Sequence, residues 1–124
     1  MSSTKTLVTL LSSLVLASPF LATTTQAQGN PSYCTRISRN DLYNTNGQPL
    51  GGIDQIIQQD RANVHKFGNP DGDSNDYYFT SYERRVALAR AVRNSNVSPG
   101  VRNAILNGNT NVCVYYYGNT VEIR

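Results

Sequence analysis

The sequence predicts a small α+β domain: a short three-stranded antiparallel sheet, built from an N-terminal strand and a C-terminal hairpin, packed against about three helices. Three observations lead there. From Asn111 to Arg124, two runs rich in β-branched and aromatic residues flank Gly118-Asn119, a pair suited to a two-residue hairpin turn. From Ile53 to Phe67, apolar residues recur at helical period. Two cysteines, Cys34 and Cys113, stand far apart in a chain that opens on an export-like segment, and predict one disulfide.

Residues 1–27 read as a cleaved secretory signal peptide, with Lys5 as the basic end, an apolar stretch through Leu21, and Thr25-Gln26-Ala27 as the cleavage site. Ser12, Ser13, Ser18 and Pro19 interrupt the apolar run, whereas a spanning helix needs about 20 mostly apolar residues. No membrane attachment is therefore expected after cleavage, and the expected location is secreted or periplasmic. Residues 28–124 form the single domain, 97 residues long. Without Lys5 the formal net charge falls from +3 to +2, too weak to call for nucleic acid as a partner.

Residues 28–32 are a polar lead-in. Tyr33 to Ser38 alternates and reads as the first strand. A Cys34–Cys113 bridge requires both cysteines on one face, which places Tyr33, Thr35 and Ile37 on the other. In the hairpin, Tyr117 faces Thr120, Tyr116 faces Val121, Tyr115 faces Glu122 and Val114 faces Ile123. The core face is then Val112, Val114, Tyr116, Val121 and Ile123, and the wet face is Cys113, Tyr115, Tyr117, Thr120, Glu122 and Arg124, joined by Arg36. The two assignments agree although each was reached separately.

Asn40 to Tyr43 is ambiguous, and residues 44–49 read as a loop. The first helix, Ile53 to Phe67, turns Ile53, Ile56, Ile57, Val64 and Phe67 inward and stops at Gly68. Asp60 falls at the centre of that apolar arc. After a polar loop, Thr80 and Glu83 have capping-box spacing for a second helix reaching about Asn94, with Tyr82, Val86, Leu88, Ala89 and Val92 inward and Arg85 among them. Ser98 as cap, Pro99 at the first helical position and Gly108 as stop define a third.

Four constellations could carry chemistry. Asp60 and Arg85, lone charges on two apolar faces, are expected to meet as a buried ion pair. Tyr115, Tyr117, Arg36 and Arg124 on the wet face suit a protein or glycan partner, and equally a face covered by the lead-in. His65 with a carboxylate, Asp54 or Glu83, and Arg61 supplies the residue types of a small ribonuclease or phosphodiesterase, at a spacing that carries no information. Asp71, Asp73, Asn75 and Asp76 begin like a calcium loop, but the sixth position lacks glycine and the twelfth lacks glutamate. No nucleotide-binding, nucleophile-elbow or zinc-ligand motif is present, and no cofactor is expected. The preferred reading is an exported, non-enzymatic binding domain. The alternatives are the nuclease-like enzyme and a weak calcium loop.

Overall fold

The computed structural model describes residues 30–68 and 76–124; the expected signal peptide and Asp71, Asp73 and Asn75 lie outside them. In chain order come β1 (Ser32–Ile37), a 3-10 turn (Arg39–Leu42), α1 (Ile53–Phe67), α2 (Tyr82–Arg93), α3 (Pro99–Asn107), β2 (Thr110–Tyr116) and β3 (Val121–Ile123). The sheet runs β1-β2-β3, antiparallel throughout. This is the predicted α+β architecture, and the predicted disulfide is present.

The strands form because their apolar positions alternate, and the alternation fixes register. Cys34 sits directly opposite Cys113 and is bonded to it. Cys113 exchanges both backbone hydrogen bonds with Arg124 (2.9 and 3.1 Å). Its N–H and C=O therefore point to the β3 side, and Cys34 meets it as a non-hydrogen-bonded pair, where opposed side chains come closest. The N–H of Tyr117 donates to the carbonyl of Thr120 at 2.9 Å and closes the hairpin. Gly118 has φ 91° while Asn119 stays at negative φ. One left-handed residue at the first central position marks a type II′ turn, so only the glycine is needed there.

Tyr33, Thr35, Ile37, Val112, Val114, Tyr116, Val121 and Ile123 are all buried, as the alternation predicts. Ile53, Ile56 and Ile57 of α1, Leu88 and Val92 of α2 and Ile105 of α3 pack against them. Phe79, fully buried between α1 and α2 in sequence, meets Tyr33, Tyr78 and Tyr116 edge-on with ring centres 4.9–5.7 Å apart. Edge-to-face pairs of this kind add about 0.5–1.5 kcal/mol each beyond their buried area.

Several boundary expectations need correction. Helix α2 begins at Tyr82 and its cap is Ser81, whose hydroxyl accepts from the Arg84 N–H at 3.3 Å. Thr80 is thus not the cap, and Glu83 is an exposed residue of the first turn rather than a capping-box partner. Phe67 and Tyr82, expected inward, are 67% and 69% exposed; each is the terminal residue of its helix. The ambiguous Asn40–Tyr43 stretch closes the 3-10 turn, held by Asp41, whose Oδ2 accepts from the Ser38 N–H (2.8 Å) and hydroxyl (3.1 Å). Ser98 caps α3 as predicted, accepting from the Val101 N–H at 3.4 Å. The helix reverses into β2 at Gly108, with φ 70°, which lies where an added Cβ would press on Leu42.

Candidate functional site

The centre of the molecule is polar. Arg61 is 0% exposed, and its guanidinium reaches oxygens from three parts of the chain. Nε donates to Asp60 Oδ2 at 2.8 Å, Nη1 to Asp76 Oδ2 at 2.7 Å, and Nη2 to the Thr35 hydroxyl at 2.9 Å. The Thr35 hydroxyl in turn donates to Asp60 Oδ1 at 2.7 Å. The guanidinium carbon Cζ lies 3.8 Å from the centre of the Tyr33 ring. Charge-assisted bonds of this length, with a fork-shaped cation stacked on an aromatic face, are geometry that arginine supplies and lysine does not.

The arrangement follows from local structure. Asp60 and Arg61 are neighbours on the inward side of α1, and Thr35 is the one polar residue among the inward positions of β1. Asp76 lies just after the 69–75 connection; its Oδ1 accepts from the Phe79 N–H at 2.6 Å. His65, one helical turn beyond Arg61, brings Nε2 to 3.3 Å from Asp76 Oδ2. One cation therefore serves two carboxylates directly, with a third nearby. Burial raises the Asp60 pKa to about 7; Arg61 pulls it down and Asp41 pushes it up, and burial prevails. Burial opposes the Arg61 charge as well, but Asp60, Tyr33 and Asp76 outweigh it and raise its pKa. Burial works against the Asp76 carboxylate too, yet the Phe79 N–H, Arg61 and His65 hold its pKa below the usual value. Tyr33 is shifted upward by burial first and Asp60 second, and its hydroxyl has no hydrogen-bond partner among the described residues.

The expected Asp60–Arg85 pair does not form. Asp60 is satisfied by Thr35 and Arg61, whereas Arg85 Nη1 reaches back over the start of its own helix to the carbonyls of Phe79 (3.1 Å) and Thr80 (2.9 Å). A long side chain near a helix end reaches exposed backbone more readily than a carboxylate buried on another helix. The enzyme set is scattered as well. His65 and Arg61 converge on Asp76, while Asp54 pairs with Arg93 at 2.9 Å and Glu83 is exposed. Of the calcium-loop residues, only Asp76 is described, and both its oxygens are engaged by protein donors. Among the described residues no cluster of His, Cys, Asp and Glu is set to hold a metal ion, and no helix is long and apolar enough to cross a membrane.

The wet face of the sheet carries the expected set together. Tyr117 is 50% exposed, and Tyr115 lies half-buried with the Arg124 guanidinium 5.1 Å over its ring. Arg124 Nε donates to Glu122 Oε1 at 2.7 Å, and the Arg36 guanidinium bonds the side-chain carbonyl of Asn109. A separate concavity, about 430 Å³, opens between the 3-10 turn, residues 43–45 and α1. Neither His65, Arg61, Asp54 nor Glu83 lines it. Thr35 and Arg61 as the partners of Asp60, and Asp76 as the second carboxylate on Arg61, were not expected from the sequence, although a threonine among inward strand positions was a visible signal. Comparison of the chain with protein-family models, with curated proteins and with solved structures finds no match.

The polar centre makes stability depend on pH. The folded state holds the Asp60 proton more tightly than the unfolded chain does. Its contribution is therefore fully present below the unfolded pKa near 4 and is lost as pH rises to about 7. Asp76 acts in the opposite sense, stabilising above the usual carboxylate range and losing that contribution on acidification. Between about pH 5 and 7 Asp76 is ionised in both states, so the Asp60 effect, up to roughly 1 kcal/mol per pH unit, stands out. Urea midpoints of the wild type are expected to fall across this window by more than those of Asp60→Asn. Parallel profiles for the two proteins would contradict the assignment.

Proposed function

We propose that this chain is an exported, non-enzymatic interaction domain that docks a protein partner through the outer face of its sheet. The carrying observation is the asymmetry of that sheet: the three helices pack on one face, and the other presents Tyr115, Tyr117, Arg36 and Arg124 with no helix across it among the described residues. Tyrosine and arginine are the residue types that dominate protein interfaces, because each offers apolar area and a polar tip at modest entropic cost. Arg36 and Arg124 against the single carboxylate of Glu122 give this set a net positive charge, which favours a partner with exposed carboxylates. Export is supported by the signal-like residues 1–27 and by the disulfide, which is compatible with an extracellular or periplasmic location. The scattering of Asp54 and Glu83 away from His65 and Arg61 supports binding over phosphodiester chemistry.

The test compares the wild type with Tyr115→Ala/Tyr117→Ala as bait against the exported proteins of the producing cell. A partner held by the wild type and lost by the double variant, with both baits equally stable, is the expected result. Identical retention by the two baits would remove the sheet face from consideration. Tyr117 is half-exposed, and its removal should change the melting temperature little.

A further inference from the structure

We infer that the concavity between the 3-10 turn, the 43–49 loop and α1 is a binding site for a neutral saccharide. This site is separate from the sheet face and does not depend on it. Its volume of about 430 Å³ lies within the range of small-ligand pockets.

The lining has two components that suit sugars. Tyr43 and Phe67 line the cavity, are 46% and 67% exposed, and belong to no part of the hydrophobic core. Large exposed rings at the mouth of a pocket offer flat apolar surfaces on which the C–H faces of a pyranose can rest. The wall behind them is a row of planar hydrogen-bonding side chains. Gln59 Nε2 donates to Asn63 Oδ1 at 2.8 Å, and Asn63 Nδ2 donates to Asp41 Oδ1 at 2.8 Å. Each amide also has donor or acceptor capacity beyond these bonds, of the kind that sugar hydroxyls can meet. Amides held in a chain by one another present those groups in a fixed direction.

The opposite wall is preorganised too. Asn44 Oδ1 accepts from the backbone N–H groups of Asn46 and Gln48, both at 2.9 Å, and its amide donates to Gln48 Oε1 at 3.0 Å. The Tyr43–Pro49 bridge and the Leu50 N–H to Leu42 carbonyl bond at 2.8 Å close the base of this loop. A loop stiffened in this way loses little entropy when a ligand arrives. Charge argues against the other ligand classes. Among the described residues Lys66 is the one cation of the lining, against the carboxyl groups of Asp41 and Asp60, so a phosphate or carboxylate ligand gains little.

The test is an NMR titration of the full domain with maltose, cellobiose and chitobiose. Inorganic phosphate and a basic hexapeptide serve as comparison probes. At least one disaccharide is expected to shift the amide resonances of Gln59 and Asn63, with a Kd in the millimolar range or tighter. Tyr43→Ala and Gln59→Ala are each expected to weaken that binding about tenfold or more. Both positions are solvent-accessible and outside the core, so the fold survives the changes, which the unshifted resonances of β2 would verify. Absence of saccharide shifts at these residues overturns the inference, as does stronger binding of phosphate or of the peptide at the same place. Saccharide binding that both variants leave intact overturns it equally.

Discussion

Arg61→Met is expected to destabilise the domain by about 3–5 kcal/mol, the usual cost of leaving a buried charge without its partner. The physical reason is stoichiometric. Arg61 is the cation that Asp60 and Asp76 both bond, and neither carboxylate is more than 7% exposed. Methionine has similar length and packs well, so little cavity contributes. What is lost is the neutralising charge, the hydrogen bonds to Asp60, Asp76 and Thr35, and the contact with the Tyr33 ring. For a domain of this size, each kcal/mol lowers the melting temperature by about 4–8 °C. Total stabilities of about 5–15 kcal/mol leave little margin for such a loss. Arg61→Lys should fall between wild type and Arg61→Met, since it restores the charge without the fork. Asp60→Asn should be milder than Arg61→Met, because the Asp60 charge is already disfavoured at its site. Thermal melts within a few degrees of wild type for Arg61→Met would show that the centre is not held by this cation.

The second large effect concerns the Cys34–Cys113 bridge. It joins residues 79 apart in sequence, and the Cys34→Ser/Cys113→Ser protein is expected to lose about 4–5 kcal/mol on chain-entropy grounds. Cys34 is exposed and Cys113 half-buried on the outer face, so the substitution opens no hole in the core. The loss should therefore act mainly through the unfolded chain, which becomes free to expand. The denaturant slope offers a check: the unbridged protein should show a larger m-value, because its unfolded state exposes more surface. An unchanged midpoint on substitution, or on reduction of the wild type, would mean that the sheet holds β1 without the bridge.

The strands were legible in the sequence because period-two alternation carries its own register. Once Gly118-Asn119 is taken as the turn, the opposition of Val114 to Ile123 follows, and the cysteines then place β1. The helices were legible in extent, with α1 and α3 ending at glycines. The polar centre was only half legible. Asp60 in an apolar arc announced a buried partner, and the sequence pattern pointed to Arg85 rather than to the adjacent Arg61. The choice depended on how α1 lies over β1, a long-range fact that no local pattern encodes. Thr35 and Asp76 belong to the same difficulty: they come from a strand and a connection that meet α1 only after the chain has folded. The saccharide cavity left still less trace, since its Asn, Gln and Tyr residues are ordinary loop and surface types until the 3-10 turn brings Asp41 to Asn63.

The position of the bridge has a mechanical consequence. All three helices lie between Cys34 and Cys113 in sequence, whereas β3 follows Cys113. Tension applied before Cys34 and after Cys113 travels through the two sulfur atoms and bypasses everything enclosed. Pulling can peel β3 and the first residues of β1, Tyr33 with its contact on Arg61 among them, but the backbone between Cys34 and Cys113 carries no tension while the bridge is intact. An oxidised chain stretched from its two sides would yield a contour shorter by about 3.3–3.6 Å for each enclosed residue than a reduced one. A domain tethered on one side and engaged by a partner on the other would thus keep its interior folded under strain.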